Sequence, residues 1–195
     1  MLCAATKLFA ARGYHGTTMD DVALAVGLNK ATLYHYYESK SQILFDICQR
    51  AADFTVEAVH DDLSAPARET IFGITRRVLE GVADDIDRAA VFFQEGPYFS
   101  RWFTAEQVAY IHDRETQVHR RLCGVIDRGV ASGEFSDCDA QVLALGYLGM
   151  TLGSYRWLWP LGRRTVADIA VEFSTALLRG LIRDQAVRNT SPLGI

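Results

Sequence analysis

Only four prolines interrupt the 195 residues, and strand-like alternation of apolar and polar positions is almost absent. Both scarcities argue against a β-rich fold and predict an all-helical chain. The four cysteines, Cys3, Cys48, Cys123 and Cys138, include no Cys-x-x-Cys pair and have no histidines at finger spacing. Reduced thiols in a cytoplasm are therefore expected. No secretory signal opens the chain, and the most apolar run, Val142–Leu152, is too short to span a bilayer and is soon followed by Arg156, so no membrane partner is expected. Also missing are a nucleophile elbow, a phosphate-cradling glycine loop and a dinucleotide fingerprint. Without them, neither enzymatic activity nor a cofactor is expected.

What is present is an ordinary globular composition, 49% hydrophobic and 23% charged, long enough for one domain or two small ones. The net charge of −4 looks unsuited to nucleic acid until it is divided along the chain. Residues 1–50 carry five Lys/Arg against four Asp/Glu, a balance of +1 that leaves −5 for residues 51–195. The positive end is therefore N-terminal, and a local basic face is what DNA responds to.

Apolar periodicity places a first helix up to Arg12, with Leu2, Ala5, Leu8 and Phe9 on one stripe and Gly13 as its stop. Thr18-x-x-Asp21 reads as a capping box opening a second helix, with Val22, Ala25 and Val26 inward and Gly27 at its end. Asn29 caps a very short third helix anchored by Leu33. Two short helices joined by a tight glycine-containing turn form a helix-turn-helix unit, whose second helix enters the major groove. That explains the run "NKATLYHYYESK" (29–40). Hydroxyl, lysine and histidine side chains suit phosphates, while the Tyr34 ring and Thr32 methyl suit a thymine methyl. Leu33 and Tyr37 point back into the core. Aromatic filling of a small core is the alternative, but four consecutive rings cannot all face inward. Ser39-x-x-Gln42 then caps a fourth helix running to about Asp62.

The stretch "LFAARGYHGTTMDDVALAVGLNKATLYHYYESKSQIL" resembles the DNA-binding module of the TetR family of bacterial repressors almost position for position. It departs in having Tyr37 where phenylalanine is usual and Asn29 where serine is usual. Met1 also falls inside the first helix, so either weaker phosphate anchoring than in members with a basic extension, or a start codon assigned too late, is expected. The resemblance implies DNA contacts at Thr18, Asn29, Lys30 and Thr32, and at Tyr34, His35, Tyr36 and Lys40. It also implies a helix-turn-helix DNA-binding domain over residues 1–46 and a helical ligand-binding and dimerisation domain over 47–195.

In that larger part, Pro66 starts a fifth helix with Ile71, Ile74, Val78 and Val82 inward. A helix over Ile86–Glu95 is followed by an aromatic break, "GPYFSRWF" (96–103). Thr104 caps a long helix to about Ala131, and Ser136 or Asp137 opens the next, which runs to about Trp159 before Pro160. Thr165-x-x-Asp168 caps the last, with Val166, Ile169, Phe173, Leu177 and Leu181 on its stripe. The helix over 137–159 is apolar nearly all round and carries Gly146, Gly149 and Gly153. Such a helix is buried on more than one side. Residues 137–183 are accordingly expected to form a homodimer through a four-helix bundle; a buried central helix in a monomer is the alternative.

Glu115 is a carboxylate misplaced on the apolar stripe of Ile111, Val118 and Leu122. It needs an arginine, a ligand or water, and Arg156 is one candidate partner. Contacts to a small-molecule effector are expected from Phe93, Tyr98, Trp102 and Tyr147, together with Glu115, His119 and Arg156. His112-x-x-Glu115-x-x-x-His119 has spacing that could hold a metal but occurs once, so no metal is expected. The run "RGVASGEFSDCDAQVLALGYLGMTLGSYRWLWPLGRRTVADIAVEFSTALLRGL" is similar to the ligand domain of TetR-type repressors of steroid or fatty-acid catabolism that answer to acyl-CoA thioesters. The resemblance implies a ligand-responsive repressor binding palindromic operator DNA as a homodimer, with an acyl-CoA-like effector whose phosphates lie near Arg121 or Arg156. A dimeric helical protein that binds a small molecule or metal, with an idle DNA module, is the alternative.

Overall fold

The computed structural model describes residues 1–158 and 164–181, and every regular element among them is helical. Three short helices come first, α1 (Leu2–Arg12), α2 (Met19–Ala25) and α3 (Lys30–Tyr36). Gly13 ends α1 with φ 74°, a left-handed conformation that a side chain would strain. At the N-terminus of α2 the Thr18 hydroxyl accepts from the Asp21 N–H (3.1 Å), while the Asp21 carboxylate accepts from the Thr18 N–H (2.7 Å). Asn29 Oδ1 caps α3 by accepting from the Thr32 N–H (2.8 Å). Leu33 is fully buried against Phe9, Val22 and Leu44 in the module's core.

Helix α4 (Lys40–Ala58) begins on Ser39 and ends four residues before the expected Asp62. There the Asp62 carboxylate accepts from the Ser64 N–H and hydroxyl, closing a turn that competes with the helix. Helices α5 (Ala67–Asp84) and α6 (Ile86–Glu95) follow, with Ile71, Ile74 and Val78 fully buried and Val82 nearly so. The expected break at 96–103 is instead a 3-10 turn over Gly96–Tyr98 and a one-turn helix, α7 (Phe99–Trp102). The burial of Phe99 and Phe103, with ring centroids 4.9 Å apart, winds this segment up.

Helix α8 (Ala105–Ala131) carries the Thr104 capping box. Helix α9 (Ala140–Leu152) is shorter than the expected 137–159. Asp139, rather than Ser136 or Asp137, caps it by accepting from the Gln141 and Val142 N–H groups, and Gly153–Arg156 tightens into a 3-10 turn. Trp159, Pro160 and residues 182–183 lie outside the described residues. Helix α10 (Val166–Leu181) starts on the expected Thr165–Asp168 box and packs against α5. Among the described residues no helix is long and apolar enough to cross a membrane.

Candidate nucleic-acid interface and internal cavity

On α3 the exposed side chains are Lys30, Ala31, Tyr34, His35 and Tyr36, with Tyr34 42% and Tyr36 66% exposed. A helix presenting two rings to water in this way has its hydroxyls free for an external partner. Tyr37 turns inward, and its hydroxyl donates to Asp46 on α4 (2.9 Å). Burial and that carboxylate push the Tyr37 hydroxyl up to about 12. Lys30 is anchored to Asp20 of α2 (3.0 Å), which raises its pKa and aligns the two helices of the motif. The Thr32 hydroxyl donates to Asn29 Oδ1 (3.0 Å), leaving the threonine methyl as its outward chemistry. Thr18 stands at the exposed mouth of α2.

Lys40 is not a free phosphate ligand. Its ammonium donates to the Tyr14 carbonyl (2.7 Å) and the Thr17 carbonyl (2.8 Å), and it sits 4.2 Å from the Tyr14 ring centroid. One of its three donors remains. Its half-burial lowers its pKa. The cation at the end of the recognition helix is local in sequence, whereas the carbonyls that hold it belong to a turn 23 and 26 residues upstream.

A cavity of about 300 Å³ lies between α4, α6, α8 and α9. Phe92, Phe93, Val118, Leu145, Leu148 and Leu152 provide its apolar wall, and Thr55, Arg114, Glu115 and His119 its polar groups. A smaller cavity of about 50 Å³ shares Thr55, Phe92, Phe93 and Leu152 and extends toward Asp85 and Arg88. Of the seven residues expected at a ligand, Phe93, Glu115 and His119 meet here. Tyr147 lies behind the wall, buried, with its hydroxyl 2.9 Å from the Thr75 hydroxyl. Tyr98 is half exposed on the 3-10 turn, away from the lining. Arg156 is exposed and donates to the Tyr155 hydroxyl (3.0 Å), so the Glu115–Arg156 pair, one of the alternatives for Glu115, is not formed. The early end of α9 at Leu152 is the physical reason, because it carries Arg156 off the helix axis.

Trp102 belongs to a different structure. Its ring packs on Tyr14 (5.0 Å) and edge-on to His15 (4.7 Å), and its Nε1–H donates to Glu95 (3.2 Å). The other Glu95 oxygen accepts from the Tyr14 N–H (3.3 Å). A buried carboxylate at the end of α6 thus holds the turn after α1. A second tie joins α4 to α8, where Asp53 accepts from Arg114 (2.9 Å) and from the Tyr110 hydroxyl (2.7 Å). Neither tie had a local signature, since Tyr14 and Glu95, and Asp53 and its partners on α8, are more than fifty positions apart. Among the described residues no three His, Cys, Asp or Glu side chains converge in a metal-binding group.

Comparison with known proteins agrees with this architecture. Residues 2–47 match the family of "bacterial regulatory proteins, tetR family", and residues 64–181 match the "tetracyclin repressor-like, C-terminal domain". The chain is 28% identical over 185 residues to the HTH-type transcriptional repressor KstR2 of Rhodococcus jostii, covering 93% of this chain and 89% of that protein. Among solved structures it is similar to the TetR-family regulator PfmR of Thermus thermophilus, with TM-score 0.81, 26% identity and coverage of 93% and 98% of the two chains. It is also similar to AibR in complex with isovaleryl coenzyme A and operator DNA, with TM-score 0.76, 29% identity and coverage of 91% and 95%. Proteins of this family are non-enzymatic DNA-binding regulators. With both of its domains matched, this chain belongs to the TetR family of transcriptional regulators.

Proposed function

We propose that this chain is a cytoplasmic repressor that binds a palindromic operator as a homodimer and loses operator affinity when an acyl-CoA-like effector enters the cavity. The observation that carries the reading is the double duty of α4. Ile43, Leu44 and Ile47 are core residues of the DNA module, while Ala52 and Thr55 of the same helix line the cavity. An effector that fits better when α4 is tilted shifts the module it carries. By linkage, operator and effector weaken each other by the same factor.

The dimer reading rests on α9, where Val142 and Leu145 are 62% and 63% exposed. A Cβ added at Gly146 or Gly149 would meet nothing within 4 Å in this chain, so their openness suits the close approach of a second copy. Val171 on α10 extends the apolar face. Two recognition helices about 34–36 Å apart would then meet successive major grooves. The AibR complex with isovaleryl coenzyme A supports the effector class. In this reading Thr18, Asn29, Lys30, Thr32, Tyr34, His35 and Tyr36 contact DNA, and Lys40 supports them from behind.

The test is a gel-shift assay on the DNA upstream of the chain's own gene, with salt varied and acyl-CoAs added. Specific binding should fall steeply with salt, weaken about tenfold or more in Tyr34→Ala through loss of a base contact of about 1–3 kcal/mol, and reverse with an acyl-CoA. Binding indifferent to sequence and to every acyl-CoA would sink it.

A further inference from the structure

The polar groups lining the larger cavity fall into two sets. Thr55 Oγ1 donates to the Ala51 carbonyl (2.9 Å). Arg114 is spent on Asp53 (2.9 Å), the Tyr110 hydroxyl (3.1 Å) and Asp113 (3.3 Å). His119 Nε2 lies 3.2 Å from the Gln141 carbonyl. Only Glu115 has neither a hydrogen bond nor an ion pair among the described residues. It stands on α8 beside the buried Ile111, Val118 and Leu122, lines the cavity and is itself exposed to solvent. Crowding by those neighbours raises its carboxyl pKa, with His112 only partly opposing the effect. A carboxylate is an acceptor with room for several donors, and in this cavity Glu115 is the carboxylate to which no described protein group donates.

We propose that Glu115 is a specificity-determining residue, admitting apolar ligands that bring a hydrogen-bond donor, a hydroxyl or a protonated amine, and rejecting ligands that present a carboxylate. The proposal rests on the reading of this cavity as the effector site. An apolar body fills the space between Phe92, Phe93, Leu145 and Leu148, and its donor meets Glu115. A ligand carboxylate would instead set two like charges against each other beside an apolar wall, which opposes ionisation of both. Selection by one such group is stronger than selection by shape, because a missing methylene in an apolar wall discriminates weakly.

The test uses three probes with one apolar body, octylamine, 1-octanol and octanoate, titrated calorimetrically into the purified full chain and into Glu115→Gln. In the wild type the amine and the alcohol should each bind at least tenfold more tightly than octanoate. In Glu115→Gln the amine should lose its advantage over octanoate, while the alcohol keeps most of its affinity through the amide oxygen. Equal affinities for the three probes, a preference for octanoate, or no binding of any would overturn the proposal. The wild-type ratios stand whether or not the variant folds. Operator release by acyl-CoAs is a separate measurement, so its failure would remove the acyl-CoA reading and leave these ratios as they are.

Discussion

Helix α4 runs through two environments built on different rules. Around its first turns the DNA module is assembled from neighbours in sequence. Thr18, Asn29 and Ser39 each cap the helix that follows them, and Leu33 shares one buried cluster with Val22 and Leu44. Around its last turns the cavity takes its wall from four helices spread from Ala52 to Leu152. The first environment is a recognition device whose shape is encoded locally. The second is a space left over by long-range packing, so its contents follow from contacts that no short stretch of sequence specifies. Yet the two share a core, because Val91, Phe99, Phe103 and Ile111 join the module's buried cluster. A signal between them has only packed side chains to cross.

The sharpest way to break this comparison is Leu33→Ala. Leu33 is fully buried, and removing its side chain should cost about 2–5 kcal/mol. Operator binding should be lost while octylamine still binds the cavity, since that wall contains no residue of α3. Loss of both would show that the module and the cavity fold as one cooperative unit. Glu95→Ala comes next in size. It leaves the Tyr14 N–H and Trp102 Nε1–H without their carboxylate, at about 1–3 kcal/mol for buried donors. We expect a lower denaturation midpoint and an operator affinity that responds less to effector. An unchanged effector response would place the coupling in α4 alone.

The same contrast explains what could be read in the sequence. The caps at Thr18, Asn29, Ser39, Thr104 and Thr165 were legible because each is a polar side chain answering a backbone N–H two or three residues on. The outward face of α3 was legible because one inward leucine sets the orientation of a two-turn helix. Glu115 stood out as a carboxylate on an apolar stripe, and the cavity is where that stripe leads. Trp102 and Tyr98 did not join it, because the segment expected to be loose, 96–103, winds into a turn that aims Trp102 at Tyr14. Asp139 took the place of the expected Ser136 or Asp137 as the cap of α9, because its carboxylate is the one that reaches the Gln141 and Val142 N–H groups.

Thr18→Ala tests the local side of the comparison at smaller scale. Removing an N-cap hydroxyl costs about 1 kcal/mol. The loss should appear in the thermal midpoint and in operator affinity, with octylamine binding unchanged. A change in octylamine binding would mean that the cap matters beyond the module.

The smallest effect belongs to Glu134, the non-local counterpart of those caps. Pro66 precedes α5 and has no side-chain acceptor, so the first N–H groups of α5 need one from elsewhere. Glu134, in the loop between α8 and α9, accepts from the Ala67 N–H (3.0 Å) and the Arg68 N–H (3.2 Å). Burial alone would raise its carboxyl, but those two donors, the Ser132 hydroxyl and the Arg68 charge outweigh it and hold the carboxyl below its usual value. A carboxyl depressed on folding contributes stability that is fully present above its unfolded pKa and is lost as pH falls through the folded one. In Glu134→Gln the amide oxygen can still accept, but the charge facing the helix N-terminus is gone. Urea midpoints of wild type and variant should therefore differ most at neutral pH and converge as pH falls below about 4. A difference that persists at low pH would mean that shape, rather than charge, makes Glu134 the cap of α5.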